Sequence, residues 1–340
     1  MKWYEKDGEL GDIAVSTRVR LARNLKDYPF PGRMSQQQEN EVLHSVSSYL
    51  ISSAGGTTFR FLELKNLDRI TIGSLVERHL ISPELAGKNG GGVVLSGDDS
   101  VSIMINEEDH LRIQSILSGL RLGQCLETVN RLDDLLDGNF KYAWSDQLGY
   151  LTHCPTNLGT GLRASLMLHL PAHTETGEIR RLLPNLGKLG FTVRGLYGEG
   201  TKASGSLYQL SNQMTLGLSE QEAIERLDEV VRSTIEREKN LRNVMMEKNP
   251  IFLEDRIWRA YGILSNARRI SSGEAMKLIS DIRMGVSIGI LKDISISELN
   301  KLICNIQTNC IISAAGKPLT DVERDTERAE LIRQALKPTN

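Results

Sequence analysis

Cysteine is scarce and scattered in this chain. Cys125, Cys154, Cys304 and Cys310 are the only four among 340 residues and form no CxxC pair, so neither a zinc site nor a disulfide framework is expected. No apolar run reaches the length of about eighteen residues that a membrane helix needs. The opening MKWYEKDGEL is charged from its second residue and has no apolar segment of the secretory kind. A surplus of one charge is missing too: 41 Lys and Arg face 43 Asp and Glu, for a net charge of −2, without the basic excess of general nucleic-acid binders. What remains, 40% hydrophobic and 25% charged residues, is the composition of a soluble globular protein. The cytoplasm, where thiols stay reduced, is the expected compartment, and the length allows about two domains.

The hydrophobic pattern alternates between two periods. Residues 35–53 open on Ser35 and Gln38, a capping box, and Val42, Leu43, Val46, Tyr49 and Leu50 follow at helical spacing. TTFRFLEL reads as a strand and LDRITIGSLVERHL as a helix. GGVVLSGDDSVSIMIN reads as a hairpin turning at Gly97–Asp99. The spacing predicts a long helix over about 110–138, a strand in LRASLMLHL, a helix in ETGEIRRLLPNLGKLG, strands in FTVRGLY and SLYQLSN, and a charged helix over 219–247. From Asn249 onward strand patterns nearly vanish. The expectation is an α+β fold: a largely antiparallel sheet flanked by helices over 1–248, then a small all-helical domain over 249–340.

Five segments set arginine or acid beside turn residues. In STRVR, Arg18 and Arg20 alternate and would share one face of a strand. They read either as a solvated edge or as a pair holding an anion. NEEDHLR puts three consecutive acids after a strand; mutual repulsion would raise their proton affinity. Helix N-capping would explain Asp109 and Glu107, but leaves Glu108 without a structural task. CPTNLGTGLRAS is not GxxxxGK[ST] and no lysine follows, so a P-loop is disfavoured. It is either a glycine-rich turn before a strand, or a turn bringing Arg163 to an anion with Cys154 nearby. RGLYGEGTKASG, with four glycines in twelve residues, reads as a hairpin loop or as one that closes over a ligand. RDTERA puts Arg324 and Arg328 four apart on one helix face. Asp321, Asp325 and Glu327 can pair with them, or an anion can lie between them. Several arginines with two carboxylates suit phosphoryl transfer, because arginine forks match phosphate oxygens.

STRVRLARNL, INEEDHLRI, CPTNLGTGLRAS and the Arg194–Gly200 loop resemble the phosphagen (guanidino) kinase family over about residues 12–245. In the small-molecule members a helical domain precedes the first of these motifs. Here the arginine motif already stands at Ser16, and RDTERA follows the catalytic blocks, as in the bacterial protein-arginine-kinase branch. ERHLISP and LEDRIWRAYGILSNAR extend that closer resemblance to nearly the whole chain.

The resemblance implies an ATP-dependent kinase of arginine residues in proteins. It assigns ATP to Ser16, Thr17, Arg18, Val19, Arg20, His79, Arg112, Arg163, Ala164, Ser165, Leu166, Met167, Arg194, Gly195, Leu196, Tyr197 and Gly198. Glu108 would be the base, Glu199 the grip on the guanidinium, and Cys154 a thiolate beside it. Magnesium would be held mainly by phosphates and water, with no protein ligand set. Arg324, Asp325, Arg328 and Ala329 would form a regulatory phosphoarginine pocket. Implied partners are proteins with exposed arginines, a zinc-binding activator, a Clp-type ATPase and protease acting on the marked proteins in stress, and a second copy of the chain. The other readings are a kinase of free arginine or a related guanidine, and a phosphoarginine-binding adaptor.

Overall fold

The computed structural model describes residues 1–53, 58–195 and 203–337. In chain order the elements are β1 (Ala14–Arg23), α1 (Gln36–Ser53), β2 (Phe59–Glu63), α2 (Arg69–Glu77), α3 (Pro83–Ala86), β3 (Gly92–Ser96), β4 (Val101–Ile105), β5 (Leu111–Ser118) and α4 (Leu122–Asp137). A two-strand ribbon follows, β6 (Trp144–Ser145) and β7 (Gly149–Tyr150), then β8 (Leu162–His169), α5 (Pro171–Glu175), α6 (Ile179–Lys188), β9 (Phe191–Gly195), β10 (Leu207–Asn212) and α7 (Glu220–Lys248). Five helices complete the chain: α8 (Pro250–Asn266), α9 (Ser272–Ser287), α10 (Ile296–Asn305), α11 (Thr308–Ala315) and α12 (Asp321–Ala335).

Eight strands form one antiparallel sheet in the order β2-β3-β4-β5-β1-β8-β10-β9. The arginine-bearing strand β1 is therefore central, not a solvated edge. Strand alternation divides the sheet into two unlike faces. Val19 and Leu21 of β1, Leu111 and Ile113 of β5, and Leu162, Ala164, Leu166 and Leu168 of β8 are buried against Val42, Val46 and Leu50 of α1, Val129 and Leu136 of α4, and Leu227, Val231 and Ile235 of α7. The opposite face carries the polar residues of the same strands.

The helix expected over 110–138 is two elements. Leu111–Ser118 is the strand β5, and α4 begins only at Leu122. Gly119, at φ 75°, makes the break, because a Cβ there would lie 2.5 Å from the Gly8 backbone. Leu111, Ile113, Ile116 and Leu117 mimic helical spacing, but LRIQSILS also alternates, and pairing with β1 and β4 on both edges decides the outcome.

The helices after Asn249 share a core built on Leu253 and Ile257 of α8, Ile279 and Ile282 of α9, Leu299 and Leu302 of α10, and Ile332 of α12. That core takes in Val15, Met167 and Leu207 from the sheet, so these helices cover one end of its polar face. Buried Arg283 of α9 is one tie, donating to the carbonyls of Gly11 (2.5 Å) and Asp12 (3.1 Å) ahead of β1 and to Asn300 Oδ1 (2.8 Å).

Candidate active site

Registry brings the arginines together. Arg20 stands directly opposite Arg163 on β8, Arg18 opposite Ser165, and Arg112 of β5 opposite Ala22. Arg194 of β9 faces Gln209, which in turn pairs with Met167, so it belongs to the same face. Five arginines thus converge where like charges should repel. Among the described residues no carboxylate pairs with Arg18, Arg20, Arg163 or Arg194. The Nε atoms of Arg20 and Arg163 are buried without a hydrogen-bond partner, and buried donors normally have one.

The electrostatics follow from this crowding. Burial, with the charges of Arg112 and Arg163, lowers Arg18 to about 10, still charged at neutral pH. Burial and the charges of Arg18, Arg112 and Arg163 push Arg20 well below its ordinary value. Arg163 is lowered by burial and by Arg194 and Arg112, while Cys154 opposes the shift. Arg23 is the contrast. It points to the apolar face, binds Asp133 at 2.7 Å and lies 3.5 Å from the centre of the Tyr150 ring.

The three acids sit on a hairpin turn, not at a helix start, which removes the N-capping explanation. Asn106 N–H donates to the His110 carbonyl at 2.9 Å and closes the turn. Glu107 is buried and fully engaged: its side chain accepts from Arg112, from Ser82 Oγ (2.5 Å) and from Glu108 N–H (3.0 Å), while its carbonyl accepts from Lys88 Nζ. Asp109 Oδ1 accepts from Asn24 Nδ2 and from the backbone N–H of His153, both at 2.6 Å, and so ties the acid turn to the loop before Cys154. Glu108 is half-buried and its carboxylate makes no hydrogen bond or ion pair among the described residues. Its carboxyl is raised from the ordinary range, by burial first and then by the charges of Asp109 and Glu107, against Arg112 and His153.

Cys154 caps a 3-10 turn, Pro155–Asn157, and its Sγ lies 3.0 Å from Thr156 Oγ1. The following loop is braced on two sides. Gly159 exchanges hydrogen bonds with Leu148 and Tyr150 of the ribbon, while Thr215 Oγ1 donates to the carbonyls of Thr156 and Leu158. Gly159, at φ 97°, cannot be replaced, since a Cβ would lie 2.2 Å from the Thr215 carbonyl oxygen.

His79 approaches the arginine face from α2. A cavity is lined by Ser16, Arg18, His79, Ile116, Ser165, Met167 and Gln209. The imidazole is lowered to about 4 by burial and by the Arg18 charge, and so is neutral at physiological pH.

The other expected residues divide by alternation. Thr17, Val19, Ala164 and Leu166 face the apolar side. Thr17 Oγ1 donates to the Gly119 carbonyl at 2.6 Å and the other three are core residues, so their side chains cannot reach an anion on the arginine face. Gly195 ends β9. Leu196, Tyr197, Gly198 and Glu199 lie outside the described residues. In α12 the open arginine pair is not what the structure shows. Arg328 is buried and donates to the Ile306 and Ile270 carbonyls (both 2.9 Å) and to Asp325 Oδ1 (2.5 Å). Ala329 is in the core, while Arg324 pairs with exposed Asp321. Sequence reasoning missed the scaffold of the acid turn, Asn24, Ser82 and Lys88; the partners are 19 to 86 residues away in the chain, and no spacing signals them.

What the face fits is a polyphosphate. Unpartnered buried Nε donors and a cluster of cations match phosphoryl oxygens. Among the described residues no group of three or more His, Cys, Asp or Glu could hold a metal ion.

Two family models match the chain. Residues 41–241 fit the ATP:guanido phosphotransferase, C-terminal catalytic domain, and residues 250–340 fit the Protein-arginine kinase McsB C-terminal domain. Protein-arginine kinases from Halalkalibacterium halodurans and Symbiobacterium thermophilum are each 45% identical, over 98% of this chain and 95% and 96% of theirs. Among solved structures, lombricine kinase is similar at a TM-score of 0.61 and 25% identity, covering 69% of each chain. The duplicated taurocyamine kinase from Schistosoma mansoni with bound transition state analog components is similar at 0.60 and 27%, over 73% of this chain and 37% of that one.

Proposed function

Since the chain belongs to the ATP:guanido phosphotransferase family and, within it, to the protein-arginine kinases, we infer that it transfers the γ-phosphoryl group of ATP to arginine side chains of proteins. The observation that carries the chemistry is the convergence of five arginines on one sheet face beside a turn that leaves Glu108 open. Arg18, Arg20, Arg112, Arg163 and Arg194 would grip the phosphates, with Ser16, His79, Ser165 and Met167 lining the nucleotide side. Magnesium held on the phosphates would add charge neutralisation.

A guanidinium is a poor nucleophile, because its lone pairs are delocalised and it stays protonated at a pKa above about 12. One nitrogen must align with the γ-phosphorus and lose a proton as the N–P bond forms and the bond to ADP breaks. Glu108, its carboxyl raised from the ordinary range by burial and two neighbouring acids, is suited to take that proton. Glu199 would hold the guanidinium fork, and the Cys154 sulfur, close enough to Arg163 for their charges to interact, would lie beside it. The arginine cradle would also screen the phosphate charge that otherwise repels an approaching carboxylate.

We assign the transfer unit to residues 1–248 and a regulatory, self-associating unit to 249–340. Exposed Ile251, Phe252 and Trp258 on α8 support contact with a second copy. In α12, Arg324 and Asp325 are the accessible part of the phosphoarginine pocket that we propose, with buried Arg328 and Ala329 as its floor. A zinc-binding activator, removal of marked proteins by a Clp-type protease, and a cytoplasmic setting complete the proposal. Incubation with ATP and a basic protein should give arginine-linked phosphate, seen by mass spectrometry under conditions that spare the acid-labile P–N bond. Absence of both that product and ADP would refute the reading. Glu108→Ala should abolish transfer while ATP still binds; full activity in that variant would overturn the base assignment.

A further inference from the structure

We propose that the C-terminal helices set the nucleotide affinity of the arginine site through Glu77, a positioning residue that locks α11 to the end of α2 and so fixes His79. The proposal rests on the reading of His79 as a nucleotide contact. Its geometry is independent of that reading.

Glu77 is the last residue of α2, the worst end of a helix for an acid, because the macrodipole is negative there. What offsets this is the start of α11. Glu77 Oε1 accepts from Asn309 N–H (3.0 Å) and Asn309 Nδ2 (2.8 Å), and Oε2 accepts from Cys310 N–H (2.9 Å). These backbone donors are among the first of α11, which have no partner inside their own helix. The Gln307 N-cap makes no side-chain cap bond, so Glu77 serves as the cap from a distance of more than two hundred residues in sequence. The two helices touch closely: a Cβ on Gly73 would lie 2.5 Å from the Asn309 side chain, and Cys310 Sγ meets the Ser74 carbonyl at 3.9 Å.

The cap lies two residues from His79. α2 ends in a Schellman motif: His79 N–H donates to the Val76 carbonyl and Leu80 N–H to the Leu75 carbonyl, both 2.9 Å. His79 occupies the left-handed position of that motif, at φ 61°, where glycine is usual. Its carbonyl accepts from Gln114 Nε2 at 2.8 Å. The His79 backbone is therefore fixed on both sides, and the place from which the imidazole projects is set by where α2 ends. On the other side of the strut, Arg328 of α12 holds the Ile306 carbonyl, one residue before the α11 N-cap. The connection runs from α12 through α11 and Glu77 to the pocket of Arg18 and His79.

The test is steady-state kinetics of the full chain with ATP varied at saturating protein substrate, with Tm measured alongside. Glu77→Ala should raise KM for ATP roughly five- to tenfold, a modest coupling between sites, with kcat within about twofold of wild type. Glu77→Gln, which keeps one accepting oxygen, should restore much of the affinity. Asn309→Ala, a milder cut at the other partner, should shift KM in the same direction and add little to Glu77→Ala. An unchanged KM in the Glu77 and Asn309 variants of an active enzyme, whatever their Tm, overturns the proposal and leaves the kinase reading intact. Equal losses in kcat and kcat/KM overturn it as well. Should Glu77→Ala fail to fold, the Gln and Asn309 variants decide by the same criteria.

Discussion

Arg20 and Arg163 face each other across two strands with buried Nε atoms that nothing among the described residues accepts. Their repulsion is a cost in the anion-free protein, since like charges directly opposite in a sheet destabilise it by up to about 1 kcal/mol. Arg163→Gln is accordingly expected to raise the Tm of the nucleotide-free protein by about 1–3 °C. The stabilisation that ATP or inorganic phosphate gives the wild type should largely disappear. Differential scanning calorimetry with and without phosphate checks both halves. His79 makes the same kind of trade in the backbone. A left-handed conformation costs a non-glycine residue roughly 1–2 kcal/mol, so His79→Gly should stabilise the fold by about 1 kcal/mol while weakening ATP binding, measured by denaturant unfolding and by KM. A variant that gains stability and loses affinity distinguishes a functional imidazole from a packing one.

At the scale of elements, the acid turn Asn106–His110 and the Cys154 loop act as one unit because Asp109 binds His153 N–H. Glu108 must be ionised to accept a proton, and its carboxyl is raised from the ordinary range. The acid limb of the pH–rate profile should therefore lie above the value of about 4.3 for a free glutamate. Asp109→Asn removes one of the two charges that raise Glu108 and exchanges a carboxylate acceptor for an amide. The limb should move to lower pH and kcat should fall about tenfold, with KM for ATP little changed; a limb that stays in place would show that Asp109 does not act on Glu108. This unit was half legible in the sequence. The run of acids and the arginine of NEEDHLR stand out in one dimension, and the Arg18/Arg20 alternation already implied one face of a strand. The helix expected over 110–138 misplaced Arg112, because LRIQSILSGL satisfies both periods and only pairing on both edges of β5 selects the strand. The cross-strand meeting of Arg20 with Arg163 depends on registry over more than a hundred residues, which no local pattern carries.

For the molecule as a whole, composition and the change of texture near Asn249 correctly indicated a sheet-and-helix part followed by helices. They could not indicate which face of the sheet the later helices would cover. That choice is made by Val15, Met167 and Leu207, which join the helical core, and by Arg283 reaching back to Gly11 and Asp12. Apolar periodicity says that a helix has a buried side, never what it is buried against. The same packing buries Val15, Met167 and Leu207 at one end of the polar face.

The central place of β1 sets the order in which the protein can be made. One edge of β1 pairs with β5, and the other waits for β8, with Arg18 joined to a serine 147 residues later. Arg194 follows on β9, which reaches the sheet only through β10. A growing chain thus carries its first two arginines long before the strands that complete their site exist. Contacts of such long range form slowly, and the strands awaiting partners are exposed meanwhile. On the proposed reading, nucleotide capture would be a late event in synthesis, and ATP would bind only to chains whose sheet has closed.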